Sequence, residues 1–196
     1  MNKQELINSK HRIIFIGSAR GVNRFYITNK FIEEFPQAKV INTGSLIQTL
    51  IKRLDLQNLD TISIYTYFKY IEPMLLDTIL AHLEHGDVIL DTTFYYLLPG
   101  ISVRGLLEFQ NRIIDAILVL VEDSDNNIFK TQNQDIEWFK DIQNIKNDLM
   151  LNRYSYDSYL KVFSDFIKTY SITLSLDSEN MENTLNMFIQ EVKNGS

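Results

Sequence analysis

The chain has 196 residues, 45% hydrophobic and 22% charged, with a formal net charge of -6 and an isoelectric point near 5.1. That balance argues against a general nucleic-acid binder, which needs surplus Lys and Arg to neutralise phosphates. The absence of cysteine excludes a disulfide framework, a thiolate nucleophile and a zinc-thiolate site.

The length suits one domain over 1–196 with a substantial core. Met1 to Arg12 is polar and lacks the apolar core of a signal peptide. No apolar run approaches the roughly 20 residues that span a bilayer, so neither export nor membrane insertion is expected and the cytoplasm is the default compartment. Three prolines and seven glycines, spread along the chain, mark no linker or repeat.

Ile13 to Ile16 is the first short apolar run, followed by Gly17-Ser18-Ala19-Arg20-Gly21-Val22-Asn23-Arg24. Ile27, Phe31, Ile32 and Phe35 then fall on one helical stripe. A second run, Ala38 to Ile41, leads into Asn42-Thr43-Gly44-Ser45 and a helix. Ile71, Leu75, Leu76, Ile79 and Leu83 form the next stripe. A third run, Val88 to Leu90, ends on Asp91-Thr92-Thr93, with Leu98-Pro99-Gly100 beyond it. Ile113 to Val121 is a fourth run, closed by Glu122, Asp123 and Asp125. A weaker fifth lies at Ile172 to Leu176, before a stripe of Met181, Leu185, Phe188 and Val192. Unalternating Ile- and Val-rich runs suit parallel strands buried on both faces. Their alternation with helices predicts an α/β, three-layer α/β/α domain around a five-stranded parallel sheet.

Ligands of such sheets bind beyond the carboxyl ends of the strands. The informative segments are therefore Gly17 to Arg24, Asn42 to Ser45, Asp91 to Gly100 and Glu122 to Asp125. A glycine-containing loop between a buried first strand and a helix can cradle phosphate, because backbone N–H groups and the helix dipole both favour an anion there.

In this order and spacing the segments resemble the archaeal adenylate kinases of the P-loop nucleoside monophosphate kinase group. That family follows its second strand with an Asn-x-Gly-Thr-like turn, ends the third on Asp-Thr, and carries a Leu-Pro-Gly loop before the fourth. The likeness continues through Ile113 to Glu122 and Asn152-Arg153, and covers the chain from Arg12 to about Asn194. It implies a P-loop kinase fold, a flap or reduced lid at about 123–153, and ATP, AMP and Mg²⁺ as ligands. The implied nucleotide-binding residues are Gly17 to Arg24, Asn42, Gly44, Ser45, Thr92 and Arg153, with Arg24 and Asp91 catalytic in an active enzyme.

The chain departs from the family where transfer chemistry is most demanding. The G-x-x-x-x-G-K-[ST] pattern, read without gaps from Gly17, places Val22 at the second glycine, Asn23 at the lysine and Arg24 at the Mg²⁺-binding hydroxyl. With one residue inserted, Arg24 takes the lysine position and Phe25 the hydroxyl position. An arginine is a longer, planar and differently hydrated cation, so it is not a conservative replacement. No Lys or Arg lies between Lys69 and Arg104, and Lys130 is the one cation in Ile128 to Asp135, where the family has an arginine-rich lid. Loss of one transition-state arginine can cost on the order of 10³ to 10⁵ in rate.

Asp91 reads either as a carboxylate bonded to a loop or as an anchor for Mg²⁺ through water. Arg20 and Arg24 are solvent-facing loop cations or phosphate ligands, and Arg153 is a surface salt-bridge partner or a lid-adjacent arginine. His82 and His85, three apart on a helix, have no further ligand cluster, His11 stands alone, and Ser18 and Ser45 lack a triad. Phe94, Tyr95 and Tyr96 follow Asp91-Thr92 and stand where they would fill a nucleotide's space. Two functions follow. One is a degenerate kinase-shaped factor acting through a macromolecular partner, a protein before a nucleic acid, with or without nucleotide. The other is a working adenylate or nucleoside monophosphate kinase, or an ATPase, with Arg24 as its phosphate cation.

Overall fold

The computed structural model describes residues 10–56, 63–93, 101–131 and 141–195. The Phe94 to Tyr96 cluster, the Leu98-Pro99-Gly100 loop and the lid residues 132–135 lie outside them, as does the side chain of Lys130. In chain order the elements are β1 (His11–Ser18), α1 (Phe25–Glu34), β2 (Lys39–Asn42) and α2 (Thr43–Arg53). A short helical stretch Ile64–Thr66 and a π-helical segment Tyr67–Ile71 then enter α3 (Glu72–Leu83). β3 (Val88–Thr92), α4 (Val103–Leu107), β4 (Ile113–Glu122), α5 (Asp125–Thr131), α6 (Ile142–Ser164), β5 (Lys168–Ser175) and α7 (Met181–Asn194) complete the order.

All the pairings are parallel and the strand order is β2-β3-β1-β4-β5, which puts β1 at the centre. Its side chains alternate between two cores. Ile13 and Phe15 join one with residues of α2, α3 and the C-terminal half of α6. Ile14 and Ile16 join the other with Ile27 and Phe31 of α1 and Leu185 and Ile189 of α7. All four strand residues are at most 1% exposed, and each burial stabilises by about 1.5–3 kcal/mol relative to exposure. Helix α6 serves both faces, with Ile145 in the second core and Tyr156, Tyr159 and Phe163 in the first. It therefore passes the carboxyl edge of the sheet, where ligands of such folds bind.

The fifth strand starts four residues before the apolar run that announced it. Tyr170 and Leu174 join the second core, whereas Ser171, Thr173 and Ser175 on the opposite face are exposed, as is Lys168 at its start; among the described residues β5 is an edge strand. The π-helical segment has no sequence signature of its own. It turns Tyr67 and Ile71 fully inward, and burial pushes the Tyr67 hydroxyl well above the usual phenol range.

Candidate functional site

Helix α1, which follows β1, packs on one face of the sheet, while Leu106 of α4 and Phe109 just beyond it, which follow β3, pack on the other. β1 and β3 are neighbours. Their connections thus leave to opposite sides, and a crevice opens at their carboxyl ends.

Five polar side chains gather there around Asp91, two of them bonded to its carboxylate. The Arg24 Nε donates to Asp91 Oδ1 in a short bond, and Arg24 Nη1 donates to Ser18 Oγ at 2.8 Å. Asn42 Nδ2 donates to Asp91 Oδ2 at 2.8 Å. The hydroxyl of Thr43 donates to Thr92 Oγ1 at 2.9 Å, and that of Thr92 to the Thr93 carbonyl at 3.1 Å. Both carboxylate oxygens of Asp91 are therefore engaged, one by a full cation. The pair is mostly out of water, with side-chain exposures of 20% for Arg24 and 21% for Asp91. An ionised acceptor with a guanidinium donor makes this the strongest class of protein hydrogen bond.

The loop is shorter than the sequence suggests. Gly17 and Ser18 belong to β1, paired with Thr92 and Val121 respectively, so only Ala19 to Arg24 remains free of the ladder. Gly21 has φ 86, and Asp55 is the one described non-glycine residue with positive φ. With Val22 N–H donating to the Ala19 carbonyl at 3.3 Å, residues 19–22 make a tight turn that requires glycine at its third position. A phosphate-encircling loop keeps its N–H groups pointed into a cavity. Here Val22 N–H closes the turn, Arg20 N–H donates to Asp148 Oδ2 of α6 at 2.7 Å, and Phe25 N–H at the start of α1 donates to Asn23 Oδ1 at 3.1 Å. Three protein oxygens, one of them a carboxylate, occupy positions open to an anion's oxygens. Burial pushes the Asp148 carboxyl above its usual range, and the Arg20 N–H and charge offset part of that rise.

The remaining predicted residues are placed as follows. Asn42 ends β2 and its Oδ1 caps α2 by accepting from Ser45 N–H at 2.9 Å, an N-cap. The Asn-Thr-Gly-Ser segment is thus the first turn of a helix, with Gly44 and Ser45 exposed on it. A Cβ on Gly44 would meet nothing closer than 3.5 Å, so the structure gives no steric reason for glycine there. Arg153 makes a forked pair with Glu122 at the end of β4, Nε to Oε1 at 3.0 Å and Nη2 to Oε2 at 2.5 Å. It lines a separate cavity of about 620 Å³ with Asp123, Asp125, Lys146, Asp157 and Asp177. Among the described residues no group of three or more His, Cys, Asp or Glu could hold a metal ion, and no helix is long and apolar enough to cross a membrane. Mg²⁺ has Asp91 as its candidate anchor, and the internal pairing of both oxygens of that carboxylate does not fit a vacant ion site.

Sequence reasoning missed Asp148, which carries no motif and meets Arg20 across 128 positions. It also missed the clamp on Ile101 and Ser102, just past the undescribed segment. Tyr159 OH donates to the Ile101 carbonyl at 2.7 Å and accepts from its N–H at 3.1 Å, while buried Glu72 Oε1 accepts from Ser102 N–H at 2.6 Å.

No protein-family model and no curated protein sequence matches the chain. Among solved structures it is similar to a shikimate kinase from Acinetobacter baumannii in complex with shikimate, with a TM-score of 0.56 and 8% identity over 98% of each chain. It is also similar to a gluconokinase from Sinorhizobium meliloti 1021, with a TM-score of 0.52 and 8% identity over 94% of each chain. At that identity the likeness speaks to architecture, and function has to be argued from the site. The chain has a P-loop kinase-like fold: α/β, with a five-stranded all-parallel sheet and helices on both faces.

Proposed function

We propose that this is a degenerate member of the nucleoside monophosphate kinase group, with an adenylate-kinase-like ancestry, that performs little or no phosphoryl transfer and acts by binding a protein partner in the cytoplasm. The observation that carries this reading is that the chain's own groups bond the loop and the carboxylate where a phosphate and Mg²⁺ would be expected. Arg24 and Asn42 engage both oxygens of Asp91, and Asp148, Ala19 and Asn23 engage the N–H groups of the loop and the start of α1. Phosphoryl transfer is positioning plus electrostatic stabilisation. A guanidinium tied to a carboxylate supplies neither to a γ-phosphate, and Phe25 offers Mg²⁺ no hydroxyl.

Apolar side chains exposed near this edge support the binding role. Phe25 is 70% exposed beside the loop, and Met150 and Tyr154 are 63% and 73% exposed one turn apart on α6. Large exposed aromatics and Met are enriched where proteins meet. The test is ADP formation from ATP, AMP and Mg²⁺ in a coupled assay. The reading predicts no turnover above the blank, and ordinary kinase rates abolished by Arg24→Ala would refute it.

One observation favours a second reading. Arg24 lies in the crevice between β1 and β3, so a rotation of its side chain away from Asp91 would turn the cation toward a phosphate. That enzyme would bind ATP, AMP and Mg²⁺, and a thermal-shift titration with ATP, ADP, AMP and diadenosine pentaphosphate that moves nothing would remove it.

A further inference from the structure

We propose that Asp148 is an internal latch on an anion site: its carboxylate takes the place of a polyphosphate oxygen at the Arg20 N–H, and withdrawing this carboxylate frees that N–H for a phosphate. The inference rests on the closed-site reading above and adds what holds the site closed. The loop retains the makings of an anion concavity, because the turn at Ala19–Val22 with Gly21 at φ 86 sits between the central strand and the start of a ten-residue helix. Such turns and helix starts favour negative charge. An acidic side chain reaches its backbone from a different element, through the 2.7 Å bond from Arg20 N–H to Asp148 Oδ2.

A carboxylate and a phosphate oxygen cannot both accept the same N–H at that distance, and they repel at close range in a partly dry site. The two halves of helix α6 are anchored differently. Its C-terminal half is anchored in the first core through Tyr156, Tyr159 and Phe163, whereas the half that bears Asp148 buries Ile145 and Asn152, with Leu149 partly buried. That half is further tied to α5 by a partly exposed ion pair, Lys146 Nζ to Asp125 Oδ2 at 3.4 Å. This half also shares the second core with Ile128 and Phe129 of α5, so withdrawal of the carboxylate is a movement of the Asp148 side chain, with less aromatic packing around it than the C-terminal half has. The ligand class is a chain of phosphates, free or carried by a nucleotide.

The experiment titrates the wild-type protein, Asp148→Asn, Asp148→Ala and Asp157→Asn with inorganic tripolyphosphate and, separately, with ATP, using calorimetry. Asp157 is exposed on the same helix, so its variant removes one charge without touching the latch. The latch predicts that both Asp148 variants bind tripolyphosphate on the order of tenfold or more tighter than the wild type, while Asp157→Asn does not. A gain shared equally by ATP assigns the site to the phosphates alone; a larger gain with ATP adds a contribution from the nucleoside. Folded Asp148 variants that bind no tighter than the wild type, or an equal gain in Asp157→Asn, would overturn it. Hydrogen exchange at the Arg20 amide of the unmodified protein is an independent check: protection without ligand is expected, and an unprotected amide removes the latch. Turnover is measured apart from this. ADP formation by the wild type would refute the inactive reading, whereas unchanged binding with no turnover would refute the latch alone.

Discussion

Replacing Arg24 by Ala removes the cation from the crevice and leaves Asp91 with Asn42 as its side-chain donor. Two charge-assisted bonds disappear, to Asp91 and to Ser18 Oγ. Breaking a fully buried pair costs about 3–5 kcal/mol, while exposed pairs contribute about 0.2–1 kcal/mol. With about a fifth of each side chain in contact with water, the expected loss is about 2–3 kcal/mol. For a domain of this size that lowers the Tm by about 5–10 °C. The assay is urea unfolding of the wild type, Arg24→Ala, Asp91→Ala and the double variant. The cycle isolates the pair, with an expected coupling of about 1–2 kcal/mol. Arg24→Lys, which lacks the planar fork, should recover less than half of the loss. A coupling below about 0.5 kcal/mol, the level at which independent sites add, would refute the claim that Arg24 is held by Asp91.

Tyr159→Phe leaves the Ile101 N–H and carbonyl without their partner in a buried place, and should cost about 2–4 kcal/mol in urea unfolding, since each orphaned group costs about 1–3. Gly105→Ala should destabilise by about 1–3 kcal/mol through overpacking, because a Cβ there would lie 2.9 Å from Glu72 Oε1 and from Ile101 Cγ2; Gly44→Ala, with room for its methyl, should be neutral or slightly stabilising in the same melts. Asp148 supplies a pH test. Burial raises its folded carboxyl above the unfolded value, against the smaller opposing effects of the Arg20 N–H and charge, so the folded state holds this proton more tightly and its ionisation removes stability as pH rises through the acid range. Asp148→Asn should therefore gain on the wild type between acid and neutral pH, read from urea midpoints at several pH values, and a difference that shrinks as pH rises would contradict the sign.

The sheet was legible because parallel strands covered on both faces leave unbroken apolar runs, as in Ile13 to Ile16 and Ile113 to Val121. The start of β5 was not, since its Lys168, Thr169 and Ser171 face outward or partly outward at the sheet's edge and carry no hydrophobic signal. The carboxyl-edge residues were also legible as a set: Ser18, Arg24, Asn42, Asp91 and Thr92 do meet, because topology forces the ends of β1, β2 and β3 together. Their mutual bonds were not, because sequence order says nothing of whether Arg24 turns toward a ligand or toward Asp91. Glycines misled in two places, where Gly17 proved to be strand and Gly44 helix. Asp148 was invisible for a different reason: it lies on an otherwise ordinary stretch of α6, and only the passage of that helix over the sheet edge brings it to Arg20.

The central claim is that the chain's own oxygens fill the phosphate loop. It is tested most directly by following the backbone amides of Arg20, Val22 and Phe25 by NMR while Mg²⁺ and ATP are titrated into the wild-type protein. The account predicts that these three resonances stay in place to millimolar nucleotide. Saturable shifts of all three at micromolar ATP would contradict it.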